Sequence, residues 1–208
     1  SSFWGYAANS FLVSSVAATL ATILALPVAL YFAYRRNWVS QMHVHLASIG
    51  FVLPGPVIAL GILAFVLSVM PWIYGGLLVL ILAMMLRFLP LAIQAQEAAV
   101  QQLTPTVEQA GRSLGAGPLE NLWRVVLPMI RNGLATAWVL VFIDALKELP
   151  ATLILRPTGF DTLPVRIWIE ASEEMLELAA PAALMLVIGT LPVLWIMMKN
   201  HTTNTGSD

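Results

Sequence analysis

Apolar residues run through this chain in stretches of about twenty, long enough as helices to cross a hydrocarbon core of about 30 Å, with polar or glycine- and proline-rich segments between them. The first stretch extends from Tyr6 to Tyr34 and is ended by Arg35-Arg36-Asn37. The second, Leu46 to Met70, is interrupted by Leu53-Pro54-Gly55-Pro56, where the prolines remove backbone donors and should kink or break a helix. The third runs from Gly75 past Arg87 toward Gln96, and its polar far end is expected to project from the membrane. The fourth covers Met129 to Leu149, and the fifth Ala179 to Met198 with Gly189 and Pro192 inside it. The pattern predicts an all-α membrane protein with five transmembrane helices.

Composition agrees. The chain is 59% hydrophobic and 10% charged, against about 25% charged residues in a typical soluble domain. A formal net charge of -1 argues against a nucleic-acid partner, which calls for a basic patch or stripe. Cysteine is absent, which excludes disulfides and thiolate metal sites. Residue 1 is Ser and no basic segment precedes the first apolar run, so the chain is expected to be cut from something longer.

Lysine and arginine in the short loops give the orientation. Arg35 and Arg36 follow the first span, Arg112 and Arg124 lie before the fourth, and Lys199 follows the fifth. With those loops cytoplasmic, the N-terminus is outside, the C-terminus inside, and the uncharged aromatic loop Pro71-Trp72-Ile73-Tyr74 faces out. Arg156 and Arg166 run against this rule, but their segment also carries Asp161, Glu170, Glu173, Glu174 and Glu177.

Charges within spans are costly, about 2.5–3.5 kcal/mol each near the bilayer centre, and face protein or water. Asp144, Lys147 and Glu148 are spaced i, i+3, i+4, so on a continuing helix they share one face. A rise of 1.5 Å per residue puts Asp144 roughly 24 Å above Pro128. Two readings stay open: interfacial charges with a local Asp144–Lys147 pair, or the lining of a translocation path or its gate. Arg87 in the third span is the natural partner for Asp144 or Glu148. Glu170, Glu173, Glu174 and Glu177 form an i, i+3, i+4, i+7 stripe on one face of a short helix, to be read as a solvated face, a docking surface for a periplasmic binding protein or a weak cation site. His43 and His45 lie about 200° apart on a helix and are not expected to share a metal. His201 lies in a polar tail, 199–208, expected to be disordered.

One polar segment between spans carries a motif. Gln109-Ala110-Gly111-Arg112-Ser113-Leu114-Gly115, then Leu127-Pro128 after further residues, resembles the EAA loop of permease subunits in binding-protein-dependent ABC importers. Gln109 stands where that loop usually has Glu, and Gly111 where it usually has Ala; Glu108 lies one residue earlier. The run from Lys147-Glu148-Leu149-Pro150-Ala151-Thr152 to Arg156-Pro157, continuing to Phe160-Asp161-Thr162-Leu163, resembles ferric-iron importer permeases, which usually carry two permease halves in one chain, and is closest to a C-terminal half.

The resemblance implies the five-helix type I ABC importer permease (MetI-like) core, with a permease domain over 1–198 and a cytoplasmic coupling loop at about 104–128. It implies that Glu108, Gln109, Ala110, Gly111, Gly115, Leu127 and Pro128 couple the chain to ATPase subunits, and that a second permease half and a periplasmic binding protein complete the assembly in the bacterial inner membrane. Ferric iron is the implied cargo; thiamine, polyamine or sulfate are the alternatives within the family. No cofactor is expected on this chain. Gly111-x-x-x-Gly115-x-Gly117 lacks the Lys-Ser/Thr of a phosphate-cradling loop and no His-Glu-x-x-His occurs, so ATP hydrolysis is expected from another subunit. A rival reading, an ion-coupled secondary transporter fragment using Asp144, Lys147 and Glu148, predicts uptake that collapses with a protonophore at constant ATP. An intramembrane enzyme would need paired aspartates, a Ser-His pair or a metal motif within the spans.

The absence of native cysteine makes the orientation testable. Single cysteines at Gly5, Ile73 and Glu173 should react with an impermeant thiol reagent outside intact cells, while those at Asn37, Glu120 and Asn204 should not; labelling at Glu120 from outside would reject the orientation.

Overall fold

The computed structural model describes residues 3–34, 42, 53–102 and 117–204, and among these every regular element is helical. They form α1 (Phe3–Tyr34), α2 (Gly55–Val69), a single 3₁₀ turn (Pro71–Ile73), α3 (Leu77–Gln101), α4 (Pro118–Asn121), a wide turn (Leu122–Val126), α5 (Leu127–Leu146), α6 (Pro150–Leu155), α7 (Leu163–Ser172) and α8 (Leu176–Asn204). Four stretches, Phe3–Phe32, Leu77–Gln101, Pro118–Leu146 and Leu176–Trp195, are long and apolar enough to cross a membrane.

The centre of the molecule is the packing of α1, α3 and α5. In a lipid surround, apolar side chains gain little from mutual burial, so close approach through small residues and a few interhelical hydrogen bonds hold helices together. The chain supplies both. Ala17, Ala18, Ala21, Ala25 and Ala29 are each 0% exposed and give α1 a flat, small-residue face. Against it α3 sets Leu80, Met84, Phe88, Ala92, Gln96 and Val100, a buried stripe at strict i, i+4 spacing. Fully buried Gln96 donates from Nε2 to the Thr22 carbonyl of α1 at 2.8 Å. On α5, Trp138 donates to Thr19 Oγ1 at 3.0 Å and stacks on Phe142 with centroids 5.0 Å apart.

The structure refines three expectations from the sequence. Of the second apolar run, residues 46–52 lie outside the described residues; the described helix starts at Gly55, with Pro54 as its N-cap and Pro56 in its first turn. Proline there lacks only an N–H that the first turn leaves unpaired anyway, so the Pro-Gly-Pro segment breaks the run and starts the helix, the second of the two outcomes expected of it. At 15 residues, or about 22 Å, α2 is shorter than a full span.

The fourth span reaches further back and stops sooner than Met129–Leu149. It continues from α4 through the wide turn, in which the Leu127 N–H bonds the Leu122 carbonyl five residues back. The Pro128 ring would collide with the Arg124 carbonyl in a regular α-helix, and the expanded turn accommodates it. At the other end Pro150 would meet the Leu146 carbonyl in the same way, and α5 ends at Leu146. The third correction concerns the tail expected to be disordered, which is helical as far as Asn204.

α3 and α5 approach closely at Gly133, where a Cβ would clash with the Ala99 Cβ. Gly133→Ala should lower stability by about 1–3 kcal/mol through overpacking, and Gly133→Leu by more. Thermal unfolding in detergent checks this, with Ala99→Gly expected to restore much of the loss for Gly133→Ala.

Candidate functional site: a charged pocket where three elements meet

Arg87 lies among apolar residues of α3 and therefore needs a counter-charge. Glu148 provides it: its Oε2 lies 3.1 Å from Arg87 Nε, with side-chain exposures of 20% for Arg87 and 6% for Glu148. The guanidinium also lies 5.5 Å from the centroid of the Phe88 ring. On its other side is the start of α2, where a Cβ on Gly55 would come within 2.8 Å of Arg87 Nη1 and 3.1 Å of Cζ and Nη2.

Glu148 is held from behind. Because α5 has ended, its carboxylate sits before α6, where Oε1 accepts the Ala151 N–H at 3.3 Å, and its carbonyl accepts the Thr152 hydroxyl at 3.1 Å. One carboxylate thus caps α6 and neutralises α3. Asp144 and Lys147 pair separately at 2.7 Å, with Lys147 61% exposed. Arg87, Phe88, Asp144, Lys147, Glu148, Leu149 and Pro150 line a cavity of about 410 Å³.

These positions correct the expectation that Asp144, Lys147 and Glu148 share one helical face. The first two interact along the end of α5, whereas Glu148 lies past the helix and turns to Arg87. Each cavity carboxylate already has a cationic partner, and among the described residues no group of three or more His, Cys, Asp or Glu could hold a metal.

The acidic stripe also dissolves. α7 ends at Ser172, and Glu174 adopts a positive φ of 61° in the turn to α8. The helix is therefore interrupted inside the series. Glu170 is 7% exposed and pairs with Arg166 at 2.6 Å, while Glu173, Glu174 and Glu177 are exposed on the turn and the start of α8. A network that the sequence analysis missed secures the connection before α7. Asn9 donates to the Asp161 carbonyl at 2.9 Å, Arg156 pairs with Asp161, and Ser10 Oγ accepts the Leu163 N–H at 2.7 Å. Asn9 and Ser10 are polar residues in an apolar span, and that was the available signal.

Glu108, Gln109, Ala110, Gly111 and Gly115 lie outside the described residues, as do His43 and His45. Leu127 packs against the buried cluster of Val100, Val126 and Ile130, and Pro128 is exposed. Just before them, Leu119 and Trp123 are 70% and 65% exposed, and Arg124 pairs with Glu120 at 2.7 Å.

Removing one partner of a buried ion pair strands the other. Glu148→Leu should therefore cost about 3 kcal/mol, and the double variant Arg87→Met/Glu148→Leu should cost less than either single change. Unfolding of the four proteins in one detergent measures the coupling.

The permease protein FbpB 2 of the Fe(3+)-transport system of Haemophilus influenzae is 34% identical to this chain over 192 residues, covering 90% of the chain and 37% of that protein. The chain thus spans little more than a third of that relative's length. A probable molybdenum ABC transporter permease protein of Haloferax volcanii is 31% identical over 188 residues, covering 84% of the chain and 68% of that protein. Among solved structures, an inward-facing MetNI methionine ABC transporter matches with a TM-score of 0.71 at 16% identity, covering 92% of this chain and 90% of its own. A bacterial alginate ABC transporter in complex with its pentasaccharide-bound periplasmic protein matches with a TM-score of 0.73 at 14% identity, covering 94% and 76%. These likenesses establish a MetI-like, type I importer permease fold. Residues 6–198 match the family described as the binding-protein-dependent transport system inner membrane component, and the chain belongs to that family.

Proposed function

We propose that the chain is a permease module of an ATP-driven ABC importer that passes ferric iron delivered by a periplasmic binding protein. The observation that carries this reading is the family match over nearly the whole chain, joined by the 34% identity to a permease named for Fe(3+) transport. The cavity lined by Arg87, Asp144, Lys147 and Glu148 is a polar way station among apolar helices, as a translocation path requires. An oxyanion cargo is the second reading, favoured by the molybdenum-transport relative and by the two cations on the cavity wall.

The proposed assembly has an outside N-terminus and a cytoplasmic C-terminus. Arg156 and Arg166, which counted against that orientation, are each paired with a nearby carboxylate, Asp161 and Glu170, which reduces their weight against it. Two ATPase subunits engage the segment containing Glu108 to Gly115, and a second permease half completes the path. Closure of the ATPases on ATP moves this segment, and the continuous helix from Pro118 to Leu146 carries the displacement to Asp144 and Lys147. Coupling of this kind is a free energy shared between two sites. Glu173, Glu174 and Glu177 offer an acidic surface for the binding protein.

Gly115→Leu tests the coupling role: glycine presents no Cβ and tolerates positive φ. Uptake should be abolished while membrane insertion and binding-protein docking persist; normal transport by Gly115→Leu would remove the loop from the mechanism.

The cargo is decided by proteoliposomes containing the permease with its ATPase and binding protein, supplied with radiolabelled ferric iron or molybdate. Iron uptake alone is expected, lost in Glu148→Ala with ATPase docking intact. Molybdate uptake without iron would replace the cargo but leave the importer reading in place.

A further inference from the structure

The Pro-Gly-Pro start of α2 does more than begin a helix, because it brings a residue without a side chain against the Arg87 guanidinium. Gly55 is buried, and its missing Cβ leaves the space that Nη1, Cζ and Nη2 of Arg87 occupy. From that position Arg87 reaches Glu148, whose second oxygen caps α6. α6 packs in turn against α2. The contacts close a ring: α2 seats the arginine of α3, the arginine holds the glutamate before α6, and α6 leans on α2. Opening the ion pair would leave α2 and α6 held to α3 by apolar contacts alone, with the cap of α6 intact.

We propose that Gly55, Arg87 and Glu148 form a latch in which Gly55 is the positioning residue. The closed pair holds α2 and α6 against α3 and keeps the cavity wall shut until the ATPase-driven movement opens it. Glu148 touches both moving parts, whereas Gly55 acts only through the space it leaves to Arg87. The gating role rests on the importer reading above; the seating of Arg87 by Gly55 does not.

The geometry separates this proposal from a general packing defect. The atoms a Cβ would meet are the far end of a flexible side chain, so Gly55→Ala should fold and insert normally while pushing the guanidinium away from Glu148. Lysine at position 87 has a compact ammonium without the planar fork, so the same alanine should be harmless in an Arg87→Lys background.

The first measurement is carbodiimide labelling of carboxylates in the purified, membrane-embedded chain, read by mass spectrometry. Glu148 should react slowly in the wild type and about fivefold or more faster in Gly55→Ala, corresponding to loss of a coupling of about 1 kcal/mol. The rate should be unchanged by Gly55→Ala once Arg87→Lys is present. An unaltered rate in Gly55→Ala alone, or an equal increase in both backgrounds, would overturn the seat.

The second measurement is ATP hydrolysis by the assembled transporter without binding protein. Gly55→Ala and Glu148→Gln should each raise it, and the double variant should exceed neither, as expected when both changes open one contact. Faster labelling with unchanged hydrolysis, or additive effects, would overturn the latch. A wild-type assembly that shows no ATP-driven uptake fails the importer reading and with it the gating role, while the labelling rates still decide whether Gly55 seats Arg87.

Discussion

The positive charge of Arg87 within the apolar stretch of α3 is the constraint around which the neighbouring elements are arranged. An unpaired guanidinium in the spans is costly, so a carboxylate must come from a different part of the chain. It comes from Glu148, which can turn to α3 only because α5 stops at Leu146. The stop is enforced by Pro150, whose ring excludes the helical carbonyl behind it. Two local events, a charge at position 87 and a proline at position 150, thus produce one tertiary contact, and Gly55 supplies the room for it.

That contact lies beside a core built on a different principle. The alanine face of α1 and the approach of Gly133 to Ala99 bring backbones close, which in lipid matters more than the amount of apolar side chain. Gln96 and Trp138 add directed hydrogen bonds to Thr22 and Thr19 of α1. By contrast, α8 keeps Leu184, Val187, Ile188, Leu191 and Trp195 exposed, an outer surface suited to an apolar surround. The α1–α3–α5 unit is the centre, and α2 with α6 is joined to α3 through the Arg87–Glu148 pair and apolar contacts.

α5 connects the two ends of this arrangement. The expanded turn before Pro128 lies at one end, next to the segment carrying the importer-like loop, and Asp144 lies near the other. A helix is stiff along its axis over this length, so the two ends cannot move independently. The i→i+5 turn at Leu122–Val126 is where this stretch departs from regular α-helix.

Apolar run lengths and loop composition by themselves determined the helical membrane class, because the bilayer imposes a length on any spanning helix and demands internal satisfaction of its backbone. They also placed α1, α3 and α8 closely, and singled out Arg87 and Glu148 as candidates for pairing, since a charge in a span stands out against its surroundings. Helical spacing misled where proline or a turn broke the helix: Glu148 left the face of Asp144 and Lys147, and Glu170 separated from Glu173, Glu174 and Glu177. Periodicity describes a continuous helix and carries no information about side chains beyond its end. Only the tertiary structure decided which acid meets Arg87 and why position 55 lacks a side chain, because both depend on the distance between elements far apart in the chain, and such distances are set by packing.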